Sequence, residues 1–105
     1  MIIAAFKPDG FWVKGHADYA EYGSDIVCAA VSSLVTHTVR LMAAQDYRYE
    51  LTEDIDGLAA VKVILRPFGA TDVEGALMDS LNDIAAQYPN NIEVHDFTGK
   101  EDHYE

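Results

Sequence analysis

His16 and Cys28 are the two side chains of this sequence whose types and spacing best support covalent chemistry. A cysteine thiolate is a strong nucleophile, and a neighbouring histidine is the base that generates it. Ser24 is a predicted helix N-cap, which places Cys28 at the end of the first turn, where the helix dipole favours the thiolate. A strand end and the following helix start commonly lie side by side, so these residues can meet. The spacing leaves open that Cys28 is instead a buried structural residue.

The first element needed to position this pair is a β-hairpin that ends just before His16. Residues 2–7 are β-rich, Pro8-Asp9-Gly10 is a strong turn signal, and residues 11–14 resume the strand character. Residues 17–23 show neither helical nor strand periodicity and end in glycine. We therefore predict that they form a loop between the hairpin and the helix that carries Cys28.

The second element is a long amphipathic helix from Ser24 to about Gln45. Its apolar residues recur at spacings of three and four, as expected for one buried stripe. The stripe consists of Val27, Val31, Leu34, Val35, Thr38, Leu41 and Met42. No proline or glycine interrupts the segment, so the helix is predicted to be continuous.

The rest of the chain predicts a second hairpin, a second helix and a final strand. The predicted strands are residues 48–52, 59–66 and 92–97, and the helix follows a capping box formed by Thr71 and Glu74 and ends at Pro89. Ala59, Val61, Val63 and Leu65 are predicted to share one face of their strand. The order ββαββαβ predicts a two-layer α+β domain with a mixed or antiparallel sheet and two amphipathic helices. One domain is expected over residues 1–105, with residues 98–105 as a frayed tail.

The charge balance narrows the classes of partner. The 105 residues include 18 acidic and 7 basic ones, for a formal net charge of −11. This charge argues against nucleic acid and against an anionic membrane surface, and it favours a basic partner on the approach. An acidic composition that serves only solubility is the alternative.

The cysteine count and the N-terminus bear on cofactors and compartment. One cysteine excludes a disulfide within the chain and a multi-thiolate zinc site, and we predict neither a metal nor another cofactor. No stretch approaches the ~18 apolar residues of a membrane helix. The apolar N-terminus has no basic region ahead of it, so it does not predict a signal peptide. The chain is therefore predicted to be cytoplasmic.

The segment from Gly15 to Ser32 carries a more specific pattern than the two reactive residues alone. It contains Gly15-His16-Ala17, a loop that ends in Gly23, then Asp25-Ile26-Val27-Cys28-Ala29, and Ser32 four residues after the cysteine. This arrangement closely resembles the signature of the ribosomal-processing cysteine protease family, Prp. The resemblance is specific over residues 15–32, and the order of the remaining elements is similar.

The resemblance implies a cysteine endopeptidase that removes the N-terminal extension of a large-subunit ribosomal protein, a step needed for ribosome assembly. It implies Cys28 as the nucleophile and His16 as the base, with Asp25 and Ser32 in supporting positions. It also implies a homodimer, and cleavage after an aromatic pair and before a small residue. Asp25 could orient His16 or only stabilise the helix start. Ser32 could orient the thiol, contact substrate or satisfy a backbone carbonyl.

The predicted loop is expected to cover the substrate. The residues assigned to this substrate loop are Gly15, Asp18, Tyr19, Tyr22 and Gly23. Tyr19 and Tyr22 are available to contact aromatic side chains of the substrate. The two glycines flank the loop and permit either close backbone approach or hinge motion.

Two other functions remain open from the sequence. A non-catalytic dimeric module could bind a basic ribosomal protein without cutting it, with Cys28 serving only in packing. A redox-sensing thiol would also use a reactive cysteine. Cleavage of an extended substrate peptide separates the protease from both.

Overall fold

The computed structural model describes residues 1–15, 24–53 and 59–99. Seven elements alternate in the order that the sequence predicts. They are β1 (Ile2–Lys7), β2 (Gly10–Lys14), α1 (Ser24–Ala44), β3 (Arg48–Glu53), β4 (Ala59–Leu65), α2 (Val73–Gln87) and β5 (Ile92–Asp96). The predicted two-layer α+β fold is confirmed.

The five strands form one mixed sheet in the spatial order β3-β4-β2-β1-β5. Both predicted hairpins are present, because β1 pairs antiparallel with β2 and β3 pairs antiparallel with β4. The two hairpins join through an antiparallel β2–β4 contact. Strand β5 adds to the other side of β1 in parallel, with Ile2 opposite Ile92 and Phe6 opposite Asp96. The N-terminal strand therefore lies inside the sheet, between β2 and β5.

The core lies between the two helices and one face of the sheet. Alternate strand residues supply the sheet side, and Phe6 stacks on Phe11 with ring centroids 5.5 Å apart. The helices supply the other side. Buried core residues from the helices are Val27, Val31, Met42, Val73, Leu77, Met78 and Leu81.

Two residues that the patterns assign to the core are largely outside it. Leu41 is 36% exposed and Leu65 is 54% exposed. Leu41 falls at the rim of the α1 stripe, whose centre is Val31 and Met42. Leu65 ends β4 beside a register shift at Arg48/Tyr49, which breaks the alternation that predicts its burial.

Helix α1 is apolar over an unusually long stretch. Residues Ile26–Ala44 are long and apolar enough to cross a membrane by length and composition alone, contrary to the expectation from the sequence. The core helix of a soluble protein passes the same test, and the inward side chains Val27, Val31 and Met42 are fully packed in the core. Only 28% of this apolar stretch is buried, so packing against the sheet accounts for the inward side chains and not for the whole apolar length of α1.

The two ends of the sheet carry different structures. At one end, β1 begins where its Ile2 amide donates to the carbonyl of Asn91, and β2 is followed by Gly15, which lies beside Met1. At the other end lie the β1–β2 turn, the end of β4 and the start of α2. Helix α1 ends at this second end, because its last turn leads to Tyr47, whose hydroxyl donates to the carbonyl of Thr71.

The start of α2 differs from the predicted capping box. The cap is Asp72, whose Oδ1 accepts a hydrogen bond from the Gly75 amide at 3.0 Å. The Glu74 side chain turns into the protein and binds Arg66 instead of reaching back to Thr71. A buried charge partner outweighs a local capping contact at this position.

Candidate active site

Cys28 lies on the second turn of α1, close to the start of the helix. The helix begins with Ser24, so Cys28 is its fifth residue, and the predicted N-cap residue belongs to the helix itself. The thiol is free and half-buried, and its side chain packs against the core cluster. A half-buried position holds the sulfur in place on the rigid helix while leaving one side open to a substrate.

The helix start itself supplies donors near this thiol. The first four amides of an α-helix have no partner within the helix. In α1 these belong to residues 24–27, directly ahead of Cys28. Backbone N–H groups in such an arrangement can stabilise a developing negative charge.

Ser32 and Asp25 flank Cys28 on the same helix. Ser32 is exposed and lies one turn beyond the cysteine, so the predicted shared face follows from the helical spacing. Asp25 is the second residue of α1, and its side chain lies outside the described residues. The supporting roles of both residues stay predictions.

Gly15 is fixed by its surroundings. It has φ +123°, in the region that favours glycine. A Cβ at this position would collide with the carbonyl oxygen of Met1 and approach the Cα of Ile2. The close backbone approach that the sequence permits is therefore present, and it sets the direction in which the chain leaves β2 toward His16.

The proposed base and most of the predicted substrate loop lie outside the described residues. These residues are His16, Asp18, Tyr19, Tyr22 and Gly23. The pairing of His16 with Cys28 therefore stays a prediction.

The described parts of the chain offer no cluster of three histidine, cysteine, aspartate or glutamate residues that could hold a metal ion. After Cys28, the exposed positions of α1 begin with Ala29, Ser32 and Ser33, which carry no charge.

The sequence does not predict a polar cluster that lies at the other end of the sheet. The guanidinium of Arg66 binds the buried Glu74 carboxylate, and Tyr47 lies beside them. The hydrogen bond to Glu74 raises the pKa of Arg66. Burial and the negative charge of Glu74 raise the pKa of Tyr47. The sequence signal for this cluster is a glutamate among apolar residues near the start of α2. The same pattern also matches a helix cap.

Comparison with known proteins gives one consistent family. The model of the family described as cysteine protease Prp matches residues 1–93. The ribosomal processing cysteine protease Prp of Mycoplasma genitalium is 30% identical over 83 residues, which cover 79% of this chain and 83% of that protein. The family match includes the segment from Gly15 to Ser32.

Solved structures share this architecture. The ribosomal processing protease Prp from S. aureus, in complex with a covalently linked product peptide, superposes with a TM-score of 0.80 at 25% identity, covering 91% of this chain and 99% of that one. SMU.848 from Streptococcus mutans gives a TM-score of 0.75 at 28% identity, with 93% and 95% covered. The fold, the single cysteine at the start of α1 and the family match agree, and the chain belongs to the ribosomal processing cysteine proteases, the Prp family.

Proposed function

We propose that this cysteine protease removes the N-terminal extension of a large-subunit ribosomal protein, using Cys28 as its nucleophile and His16 as its base. The observation that carries the proposal is the free, half-buried thiol of Cys28 at the start of α1. The covalently linked product peptide on the S. aureus relative supports a covalent route in this family. The extension of a ribosomal protein is the substrate that the family resemblance implies.

The reaction proceeds in two halves. His16 takes the thiol proton, and the Cys28 sulfur attacks the scissile carbonyl carbon. The carbon–nitrogen bond then breaks, His16 returns the proton to the leaving amine, and a thioester remains on Cys28. A water molecule gives a proton to His16 and attacks the thioester, which releases the acid product and restores the thiol.

The tetrahedral intermediates carry a negative oxygen that needs hydrogen-bond donors. The free amides at the start of α1 are the proposed donors, because they directly precede Cys28 and are fixed by the helix. Asp25 is proposed to orient His16, and Ser32 to contact the thiol or the substrate. Gly15, Asp18, Tyr19, Tyr22 and Gly23 are proposed to line the substrate, with the two tyrosines against its aromatic residues.

The overall charge suits this substrate. A net charge of −11 attracts a basic ribosomal protein and raises the rate of encounter at low salt. We propose that the protein acts as a homodimer in the cytoplasm, where its substrate is made, and that it contacts the ribosomal protein and not nucleic acid.

Mass spectrometry of the substrate N-terminus tests the proposal. The extended ribosomal protein is incubated with the wild-type enzyme and with Cys28→Ala, and the mass of its N-terminal peptide is followed. The expected result is a single cut by the wild-type enzyme and none by the variant. An uncut substrate with the wild-type enzyme, together with stable complex formation, would replace the protease by a binding module. A substrate that is cut equally by both proteins would remove Cys28 from the mechanism.

A further inference from the structure

A cavity of about 330 Å³ lies at the end of the sheet away from Cys28. Its polar walls include Lys7, Arg66, Glu74 and Thr98, and Met78 belongs to its apolar part. Cys28 lies 16 residues before the end of α1 at Ala44, which is about 24 Å along the helix axis at 1.5 Å per residue. The cavity is therefore separate from the proposed catalytic centre.

The Glu74 carboxylate in the cavity wall is incompletely satisfied. Its side chain is only 9% exposed, and Arg66 donates to Oε2 from both Nε and Nη2. Its Oε1 is buried and accepts no hydrogen bond within the described part of the chain, because the hydroxyl of the nearby Tyr47 donates to the Thr71 carbonyl instead. A buried acceptor that is left without a donor destabilises the folded protein. A donor supplied from outside the chain would remove this destabilisation.

Two cationic side chains at the same cavity, Lys7 and Arg66, have N–H groups without a partner among the described residues. Arg66 uses Nε and Nη2, the latter also donating to the Pro8 carbonyl at 3.1 Å, and its Nη1 makes no hydrogen bond to a described residue. Lys7 is exposed and forms no ion pair with any residue that the structure describes. The cavity thus combines an unsatisfied acceptor with donors that suit a carboxylate.

We infer that this cavity binds a zwitterionic small molecule of amino-acid size. Its ammonium group would donate to the Glu74 carboxylate, whose terminal torsion would turn on binding so that the buried Oε1 faces the cavity. Its carboxylate would accept from Lys7 and from Nη1 of Arg66. The side chains of Tyr47 and Thr98 supply further hydrogen-bonding groups, and Met78 would contact the apolar part of the ligand.

The charges and the volume favour a zwitterion over simpler occupants. A lone anion would face the Glu74 and Asp72 carboxylates, and a lone cation would face Lys7 and Arg66. One water molecule on Oε1 would occupy only about 30 Å³ of the space. The volume lies at the small end of ligand sites, which suits a free amino acid better than a longer peptide.

Thermal unfolding and isothermal titration with free L-amino acids test this inference. Each amino acid is added to the full chain at about 10 mM, because a ligand that binds only the folded state raises Tm. At least one is expected to raise Tm. Its N-acetyl form and its carboxamide form each remove one charge, and each should bind at least about tenfold more weakly. Amide signals of Ala70, Gly75 and Thr98 should shift in the NMR spectrum on binding.

Variants with matched controls locate the site. Amino-acid binding should weaken about tenfold or more in two variants, Glu74→Gln and Lys7→Met. It should stay unchanged in the two controls, Glu93→Gln and Lys62→Met, which lie at exposed strand positions outside the cavity. Because Lys7 is exposed, its variant keeps the fold even if the Glu74 variant does not. No binding by any amino acid would overturn the inference, as would equal binding of the blocked forms or full affinity in Lys7→Met.

Discussion

The carbonyl oxygen of Met1 occupies the space that a side chain on residue 15 would need, so Gly15 cannot be replaced without moving the backbone. The first residue of the chain thereby fixes the exit from β2. Since Gly15 immediately precedes the proposed base, His16, this contact fixes the backbone from which the proposed base follows.

We expect Gly15→Ala to lower both stability and cleavage. Gly69→Ala is the matched control, because Gly69 also has positive φ, +80°, but a Cβ there meets no atom within 4 Å. The control carries only the backbone strain of about 1–2 kcal/mol. Gly15→Ala should cost clearly more, measured by urea unfolding, and should reduce kcat/KM. Equal losses of stability in the two variants would contradict the collision with Met1.

Cys28→Ala should abolish cleavage and leave the fold intact. The thiol is the proposed nucleophile, and its half-buried side chain contributes only part of its surface to the core. The free energy of unfolding should therefore fall by only about 1 kcal/mol. Activity is measured on the extended ribosomal protein and folding by circular dichroism. Residual cleavage in a folded Cys28→Ala protein would rule out the covalent route.

Ser32→Ala should reduce cleavage without stopping it. Ser33→Ala is the matched control, since both serines are exposed on α1 but only Ser32 lies one full turn from Cys28. A loss of about 0.5–1.5 kcal/mol in transition-state binding, the worth of one hydrogen bond, corresponds to roughly two- to twelvefold in kcat/KM. Equal effects at both positions would remove the specific role of Ser32.

The raised pKa of Tyr47 predicts a loss of stability at alkaline pH. The unfolded chain releases the phenolic proton above about pH 10, whereas the folded protein retains it because burial and Glu74 disfavour the phenolate. The unfolded state then binds fewer protons, so stability falls as pH rises through this range. Tyr47→Phe should flatten this part of the profile. The check is urea unfolding at a series of pH values, and an unchanged slope in Tyr47→Phe would refute it.

The local patterns of the sequence are enough to predict most of the fold. The Pro8-Asp9-Gly10 turn and the alternation around Val61 specify hairpins within short segments, and the α1 stripe specifies a helix by spacing alone. The parallel pairing of β1 with β5 joins residues about ninety positions apart, and no local signal encodes it. The alternation wrongly predicts that Leu65 is buried, because the register shift at Arg48/Tyr49 depends on how β3 pairs with β4.

The candidate site is predicted less completely, for a physical reason. A cysteine near a helix start is visible in the sequence because it depends only on local spacing, and α1 carries Cys28 there. The crowding of Gly15 by Met1 depends on how β1 and β2 pair, and the burial of Glu74 depends on Arg66, which lies on another element. Such contacts are set by tertiary packing, which the local sequence pattern does not encode. That pattern alone therefore favours a capping role for Glu74.

The position of β1 between β2 and β5 makes completion of the sheet a late event during synthesis. Strand β1 is made first, but its second neighbour is among the last segments to be added. Until residues 92–96 arrive, the nascent chain exposes the unpaired edge of β1, a template for pairing with other chains. Truncation before Ile92 would leave both hairpins and both helices in the sequence and yet yield an aggregation-prone protein.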